Sequence, residues 1–368
     1  MKKKKVLILG KLPPPYMGPA IATQIILNSS LKDNYDLIHL HTGANSSLRS
    51  IGKWSFSKLF RTVGIYLKLI RISLFQRPDL VLIPFSQSTL GFIKDFFFIA
   101  LARLFGRKVL LQLRGSNFQN WMKSSTPLIQ VFVKWSLRLS EGVIVLGNNL
   151  KPLFHGIFEE KKVFVVPNGG NYDLSFRVKR NDLVRVLYLG NLQSSKGIED
   201  VIDAISILSE KYAGKFSVDV VGNWRAEKTR VLCMNKVEEN KLPVTFHPPA
   251  SGADKMKFLS DADMLVFTPR APEGHPWVIV EAMAAGLPII STDRGAIVES
   301  VHHGENGFIV EVESPSAIAA KLELLIADAN LREQMGASGR KLYEENFTEE
   351  KMVHNLSVTF ESAMGSGR

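Results

Sequence analysis

The stretch "EGHPWVIVEAMAAGLPIIST", Glu273 to Thr292, reads as loop, helix, turn and strand. Pro276 suits the first helical position, where its missing N–H would have no intrahelical partner anyway. Gly286, followed by Leu-Pro, is a helix stop. The amides of Trp277, Val278 and their neighbours therefore face the loop "PEGH", which makes an anion site. Glu273 stands just before this helix and Glu281 two turns inside it. A diphosphate suits the amides better than a carboxylate does, so Glu273 is expected to face neutral hydroxyls such as those of a sugar. Glu281 can reach a second hydroxyl pair, for instance a ribose diol. An acid on the helix dipole plus an ordinary surface glutamate explains the pair equally well when it is taken alone.

The pattern around this stretch is regular. Short β-branched runs alternate with helical segments: "VLILG", "LIHLHT", "LVLIPF", "KVLLQLRG", "GVIVLG" and "KVFVVPNG". A second series follows residue 180: "RVLYLGN", "SVDVVGN", "PVTFHPP", "MLVFTP", "PIISTD" and "GFIVE". Apolar runs that end in Gly, Asn or Pro and are separated by helices mark parallel sheets with crossover helices. Two series imply two Rossmann-like domains with a seam near "NYDLSFRVKRNDL", and ligand-binding loops at the C-terminal ends of the strands.

The 368 residues are 45% hydrophobic and include one cysteine, Cys233, so no disulfide framework exists and a reducing cytoplasm is the expected setting. The apolar core of "MKKKKVLILGKLPPP" is too short for a signal peptide and reads as a first strand. No stretch approaches the roughly 18 uninterrupted apolar residues of a membrane span. The net charge of +11 is uneven. Residues 1–175 carry 24 Lys/Arg against 8 Asp/Glu, a net +16, and residues 176–368 carry 22 against 27, a net −5. This asymmetry points to an anionic partner for the first half.

In "YLGNLQSSKGIEDVIDAI", Gly190 and Lys196-Gly197 fall at a strand-to-helix turn, where glycines admit close backbone approach and Lys196 can reach phosphate as a point charge. "SDADMLVF" holds Asp261 and Asp263, a D-x-D string that a helix-to-strand turn explains better than a metal. His302 and His303 read as surface residues, and no HExxH or cysteine cluster exists.

"PEGHPWVIVEAMAAGLPIISTDRGAIVESVHHGENGFIV" resembles the family 4 glycosyltransferases, retaining sugar-nucleotide enzymes of GT-B fold, whose E-x7-E signature it matches with Glu273 and Glu281. "LGNLQSSKGI" looks like their phosphate turn, and "PPPYMGPAIAT" like the Gly-rich loop after their first strand, with Gly18. The resemblance implies an α/β chain with two Rossmann-like domains facing across a cleft. Residues 1–175 would form an acceptor-binding domain, 176–345 a nucleotide-sugar-binding domain, and 346–364 a C-terminal helix returning to the first. It implies that Glu273 contacts donor-sugar hydroxyls, Glu281 the ribose and Lys196 the diphosphate. Gly18, Gly190, Asn191 and the segment His275, Pro276, Trp277 and Val278 would complete the donor site. There are two departures from the pattern. Asn191 stands where the family usually has Arg, and Arg114, in "LRGSNF", where it usually has His. Arg114 is thereby a candidate for phosphate or acceptor charge, with Ser116 and Asn117 beside it; Glu273, Lys196 and Arg114 form the candidate catalytic set. The resemblance further implies front-face retention, in which the leaving phosphate helps to deprotonate the acceptor, with no cofactor and no metal. Domain closure would align the substrates.

In "GKWSFSKLFRTVGIYLKLIRISLFQR", Phe56, Leu59, Phe60, Val63, Leu67, Ile70 and Leu74 share one helical face. Lys53, Lys58, Arg61, Lys68 and Arg71 share the opposite side with Trp54, Ile65 and Ile72. Apolar residues interleaved with cations suit a membrane-surface helix, here Lys53 to Arg77. A crossover helix with a solvated face is the plainer alternative, and no nucleic-acid motif is present. The sequence thus leads to a cytoplasmic, peripherally membrane-bound transferase with a nucleotide-sugar donor and a lipid-linked or glycan acceptor. Its rivals are a same-fold epimerase or phosphorylase, and a non-catalytic GT-B scaffold that binds glycan or membrane.

Overall fold

The structure is a computed structural model that describes residues 3–14, 17–43, 56–172, 174 and 183–365, with the side chains of 56–59 left out. All twelve apolar runs form strands, in two parallel six-stranded sheets. The chain separates into two compact units, one of Met1–Gly170 with Glu349–Arg368 and one of Asn171–Thr348. The first boundary falls a few residues before 175/176, and most of the seam segment lies outside the described residues.

In unit 1 the strands are β1 (Lys4–Gly10), β2 (Tyr35–His41), β3 (Leu80–Pro84), β4 (Lys108–Gln112), β5 (Gly142–Val145) and β6 (Val163–Val165), in the order β2-β1-β3-β4-β5-β6. The helices are α1 (Gly18–Asn28), α2 (Leu31–Asn34), α3 (Phe56–Arg71), α4 (Thr89–Leu104), α5 (Phe118–Ser124) and α6 (Pro127–Leu137). Unit 2 has β7 (Val184–Leu189), β8 (Phe216–Val221), β9 (Val244–His247), β10 (Met264–Phe267), β11 (Ile289–Thr292) and β12 (Gly307–Val310), in the order β12-β11-β10-β7-β8-β9. Its helices are α7 (Ile198–Leu208), α8 (Glu227–Glu239), α9 (Gly252–Asp261), α10 (Trp277–Ala284), α11 (Pro315–Ala327) and α12 (Ala329–Asn346).

The final helix, α13 (Glu349–Met364), belongs to unit 1. Its Leu356 and Phe360 are fully buried in one core with Val6, Ile8, Leu80, Leu82 and Leu110 of the sheet. Phe360 meets Tyr35 edge-on at 5.7 Å, and the Tyr35 hydroxyl donates to Glu361 at 2.9 Å. Strands buried on both faces account for the near-continuous apolar runs read in the sequence.

Each sheet changes direction once, between β1 and β3 in unit 1 and between β7 and β10 in unit 2. Loops leaving the C-terminal ends of strands at such a point diverge and leave a crevice, the usual ligand position in open α/β sheets.

Candidate functional site

In unit 2 the two loops at the direction change carry the residues singled out by sequence. The turn after β7 bears Lys196, and the loop after β10 bears Glu273. The two side chains form an ion pair, and both are largely buried. Burial raises the Glu273 carboxyl pKa, against the opposing pull of the Lys196 ammonium. Two glycines make this closeness possible. Gly197, at φ 75°, would place a Cβ only 1.9 Å from the Thr268 carbonyl oxygen; Gly295, at φ 61°, would place one 1.7 Å from the Glu273 oxygen. Neither position tolerates a side chain. The loop is also tied to the turn, because the amides of Arg270 and Ala271 both donate to the Ser195 carbonyl at 3.1 Å. Arg270 grips Asp200 of α7 with two hydrogen bonds of 2.8 and 2.6 Å.

Pro276 is the N-cap of α10, not its first helical residue, and Gly286 ends the helix at φ 67°. Glu281 is buried and pairs with Lys255 of α9. His275 is buried against Phe347 at 5.1 Å, with its Nε2 2.6 Å from Ser300 Oγ. Burial lowers its pKa to about 4, so the ring is neutral at pH 7. It serves the loop's packing, while the first-turn amides of Trp277 and Val278 lie at the helix end nearest Glu273.

Lys255, Arg270 and Arg225 were not found by reading the sequence. Arg225 follows β8, and its Nε donates to Asn191 Oδ1 at 3.0 Å. A guanidinium thus reaches the turn after Gly190 from another segment, although residue 191 itself carries no charge. Asp261 and Asp263 sit at the opposite end of the sheet. Asp263 accepts from the Arg185 amide at 2.7 Å, and Asp261 lies 3.8 Å from the Arg185 guanidinium. They tie α9 to the start of β7. His302 pairs with Glu305 at 3.3 Å and His303 contacts the Ile309 backbone, both in a surface turn. Among the described residues no group of three or more His, Cys, Asp or Glu could hold a metal ion.

In unit 1, Arg114 follows β4 and reaches the first turns of α1. Its Nε donates to Gln112 Oε1 at 2.9 Å, and its Nη1 donates to Thr23 Oγ1 at 2.9 Å and to the Pro19 carbonyl, beside Gly18. Its Nη2 is sealed from solvent and has no partner, as are Ser116 Oγ and Gln87 Oε1. Among the described residues the partners of this guanidinium are neutral, and burial lowers its pKa to about 10, which still leaves it charged at pH 7. Asn117 stands at the N-cap position of α5, where its Oδ1 accepts from the Asn120 side chain at 3.2 Å and makes no capping bond to the helix amides.

The basic helix corrects the sequence reading. Lys53 and Trp54 lie outside the described residues, and α3 runs from Phe56. The stripe of Phe60, Val63, Leu67 and Leu74 faces solvent, with Phe60 76% and Leu67 61% exposed, while Ile65 and Ile72 are half-buried. The helix packs instead through Leu69 and Tyr66, the latter against Phe98 at 4.9 Å. Arg61, Lys68 and Arg71 are exposed beside the apolar stripe. Exposed apolar residues continue on the neighbouring helices, Ile93 and Phe97 on α4 and Leu128, Val131 and Trp135 on α6. Among the described residues no helix is long and apolar enough to cross a membrane.

Residues 175–342 match the family described as Glycosyl transferases group 1. The capsular polysaccharide biosynthesis glycosyltransferase CapM of Staphylococcus aureus is 33% identical over 185 residues, 49% of this chain and 46% of that protein. An uncharacterized glycosyltransferase of Haemophilus influenzae is 23% identical over 334 residues, 89% of this chain and 92% of that protein. The chain thus spans about half the length of the first of these relatives and nearly all of the second. Anabaena HepE, in a crystal structure with UDP and glucose, superposes with a TM-score of 0.75 over 98% of this chain and all of that one, at 16% identity. The chain therefore has the GT-B fold, and residues 175–342, nearly all of its second unit, are similar to the group 1 glycosyl transferases.

Proposed function

We propose that the protein is a retaining glycosyltransferase that moves a sugar from a nucleotide-sugar donor to a lipid-linked or glycan acceptor at the cytoplasmic face of a membrane. The observation that carries this reading is the buried Lys196–Glu273 pair at the direction change of the second sheet. A nucleotide diphosphate would draw Lys196 to its phosphates, and sugar hydroxyls would donate to the Glu273 carboxylate. The donor thus replaces one set of polar contacts with another in a site that is already largely dry. Glu281 would take the ribose, Arg225 would supply charge beside Asn191, and Arg114 would act on the acceptor side from unit 1. The chemistry asked of the protein is electrostatic. Lys196 and the first amides of α10 would stabilise charge as it builds on the departing diphosphate. No metal is assigned, and the engagement of Asp261 and Asp263 by Arg185 supports that choice. The bacterial CapM and the UDP and glucose bound by HepE make UDP-sugars the first donors to try.

The test is calorimetry with UDP-, GDP-, ADP- and dTDP-sugars on wild type, Lys196→Ala and Glu281→Ala. At least one donor should bind, and each substitution should weaken it by about 1.5–3 kcal/mol, the range for hydrogen bonds to charged groups. Unchanged affinity in both variants would remove the assignment.

The membrane part of the proposal rests on α3, α4 and α6. Exposed apolar side chains beside Arg61, Lys68 and Arg71 suit an interface between anionic headgroups and hydrocarbon. Co-sedimentation with anionic but not zwitterionic vesicles, weakened by salt, is the expected result.

A further inference from the structure

Between the end of β2 and the C-terminal part of α3 lies a cavity of about 550 Å³, within the roughly 300–1,000 Å³ usual for small-molecule sites. His39 and His41 line it from β2, and Lys68 and Arg71 from α3, with Ile72 and Phe75 forming an apolar wall. Among the described residues no carboxylate lines it. We propose that this cavity binds the phosphate of an anionic lipid headgroup, with the acyl chains leaving along the exposed stripe of α3. The inference rests on the membrane reading above and adds to it a defined site in place of a diffuse charged surface.

Three features support it. Neither Lys68 nor Arg71 has an ion-pair or hydrogen-bond partner among the described residues, so their charge is available to a ligand. Cationic neighbours also bear on the cavity: after burial, His39, Lys11 and Lys68 lower the pKa of His41. The apolar wall also continues outward. Phe75 is 79% exposed, and Leu74 and Leu67 extend the same surface along the helix. The helix changes here to a π-turn, Ile72–Gln76, that ends in the left-handed Arg77 at φ 51°. Such turns shift the side-chain register and recur at functional sites. A small inorganic anion would use the cations and leave the apolar wall idle, whereas an amphiphile uses both.

The test uses the full chain and dihexanoyl phosphatidylglycerol kept below its micelle concentration, so that no bilayer is involved. Saturable 1:1 binding is expected, at least tenfold tighter than for dihexanoyl phosphatidylcholine or for glycerol 3-phosphate. It should weaken at least tenfold in Lys68→Gln/Arg71→Gln. It should weaken equally in Ile72→Trp, which fills the cavity without changing the charge and should leave nucleotide-sugar binding intact. Equal binding of the phosphatidylcholine, glycerol 3-phosphate binding as tightly as the lipid, or an unaffected Ile72→Trp would each overturn the inference. If wild type ignores anionic vesicles but binds the monomeric lipid, the membrane reading falls while the headgroup site stands. The reverse result sinks the headgroup site alone.

Discussion

The candidate donor site of unit 2 and the cation-lined features of unit 1 treat their charges in opposite ways. In unit 2 the cations that shape the candidate donor site are matched by carboxylates: Lys196 by Glu273, Lys255 by Glu281, and Arg270 by Asp200. Among the described residues of unit 1, Arg114 has only neutral partners, and Lys68 and Arg71 line a cavity without an acid. The net −5 and +16 of the two halves of the sequence express the same contrast. A self-compensated site is held in shape before its ligand arrives and must exchange internal contacts for external ones. An uncompensated one stores an attraction that only an outside anion can satisfy. The site cations Lys196, Lys255 and Arg270 of unit 2 should therefore matter to stability, and Arg114, Lys68 and Arg71 of unit 1 mainly to binding.

Lys255→Ala puts that contrast under the greatest strain. Glu281 is nearly inaccessible, so removing its cation leaves a buried charge, at a cost of about 3–5 kcal/mol. Urea denaturation measures it, and a loss below about 1 kcal/mol would mean that the pair is not compensating burial. Glu273→Gln comes next. Turnover should fall on the order of 10²-fold or more, the scale of losing one transition-state contact, while affinity for the free nucleoside diphosphate changes little. Equal losses in both would place Glu273 away from the sugar.

His275 supplies a smaller effect with a definite sign. Its folded pKa of about 4 lies below the ordinary 6.5, so between these values the unfolded chain binds a proton that the folded chain refuses. Stability should therefore be fully present above pH 6.5 and decline as pH falls towards 4, by on the order of 2–3 kcal/mol. His275→Gln should flatten this part of the pH–stability curve; an unchanged slope would refute the assignment. Lys68→Ala, last, should alter stability by no more than about 0.5 kcal/mol while weakening attachment to anionic vesicles. A loss comparable to that of Lys255→Ala would erase the distinction between the units.

Strand positions were legible because each run carries its own signal: β-branched residues, a bounding Gly or Asn, and a length suited to a buried strand. The stop at Gly286 was legible for the same local reason. The partners of the site residues were not. Lys255 and Glu281 are 26 positions apart and Arg225 and Asn191 are 34 apart, and only the tertiary fold brings α9 within side-chain reach of α10 and the loop after β8 within reach of the turn after β7. The orientation of α3 was also beyond reach. Periodicity gives the angle between two stripes of a helix, but the side that packs is chosen by neighbours such as Phe97 and Phe98, which offer Tyr66 an aromatic seat. The stripe of Phe60, Val63 and Leu67 is apolar enough to pass for a core face and is exposed nonetheless.

The placement of α13 has a consequence for how the protein is made. Its Leu356 and Phe360 lie in the same core as β1, β3 and β4, yet they are separated from those strands by the whole of unit 2. During synthesis, at about 5–20 residues per second, the first sheet leaves the ribosome long before the helix that covers it. Unit 2 can complete its own core in that interval, because all of its elements are contiguous. Unit 1 must wait with one apolar face uncovered until α13 is available to dock, so its last folding step comes after the whole of unit 2 has been made.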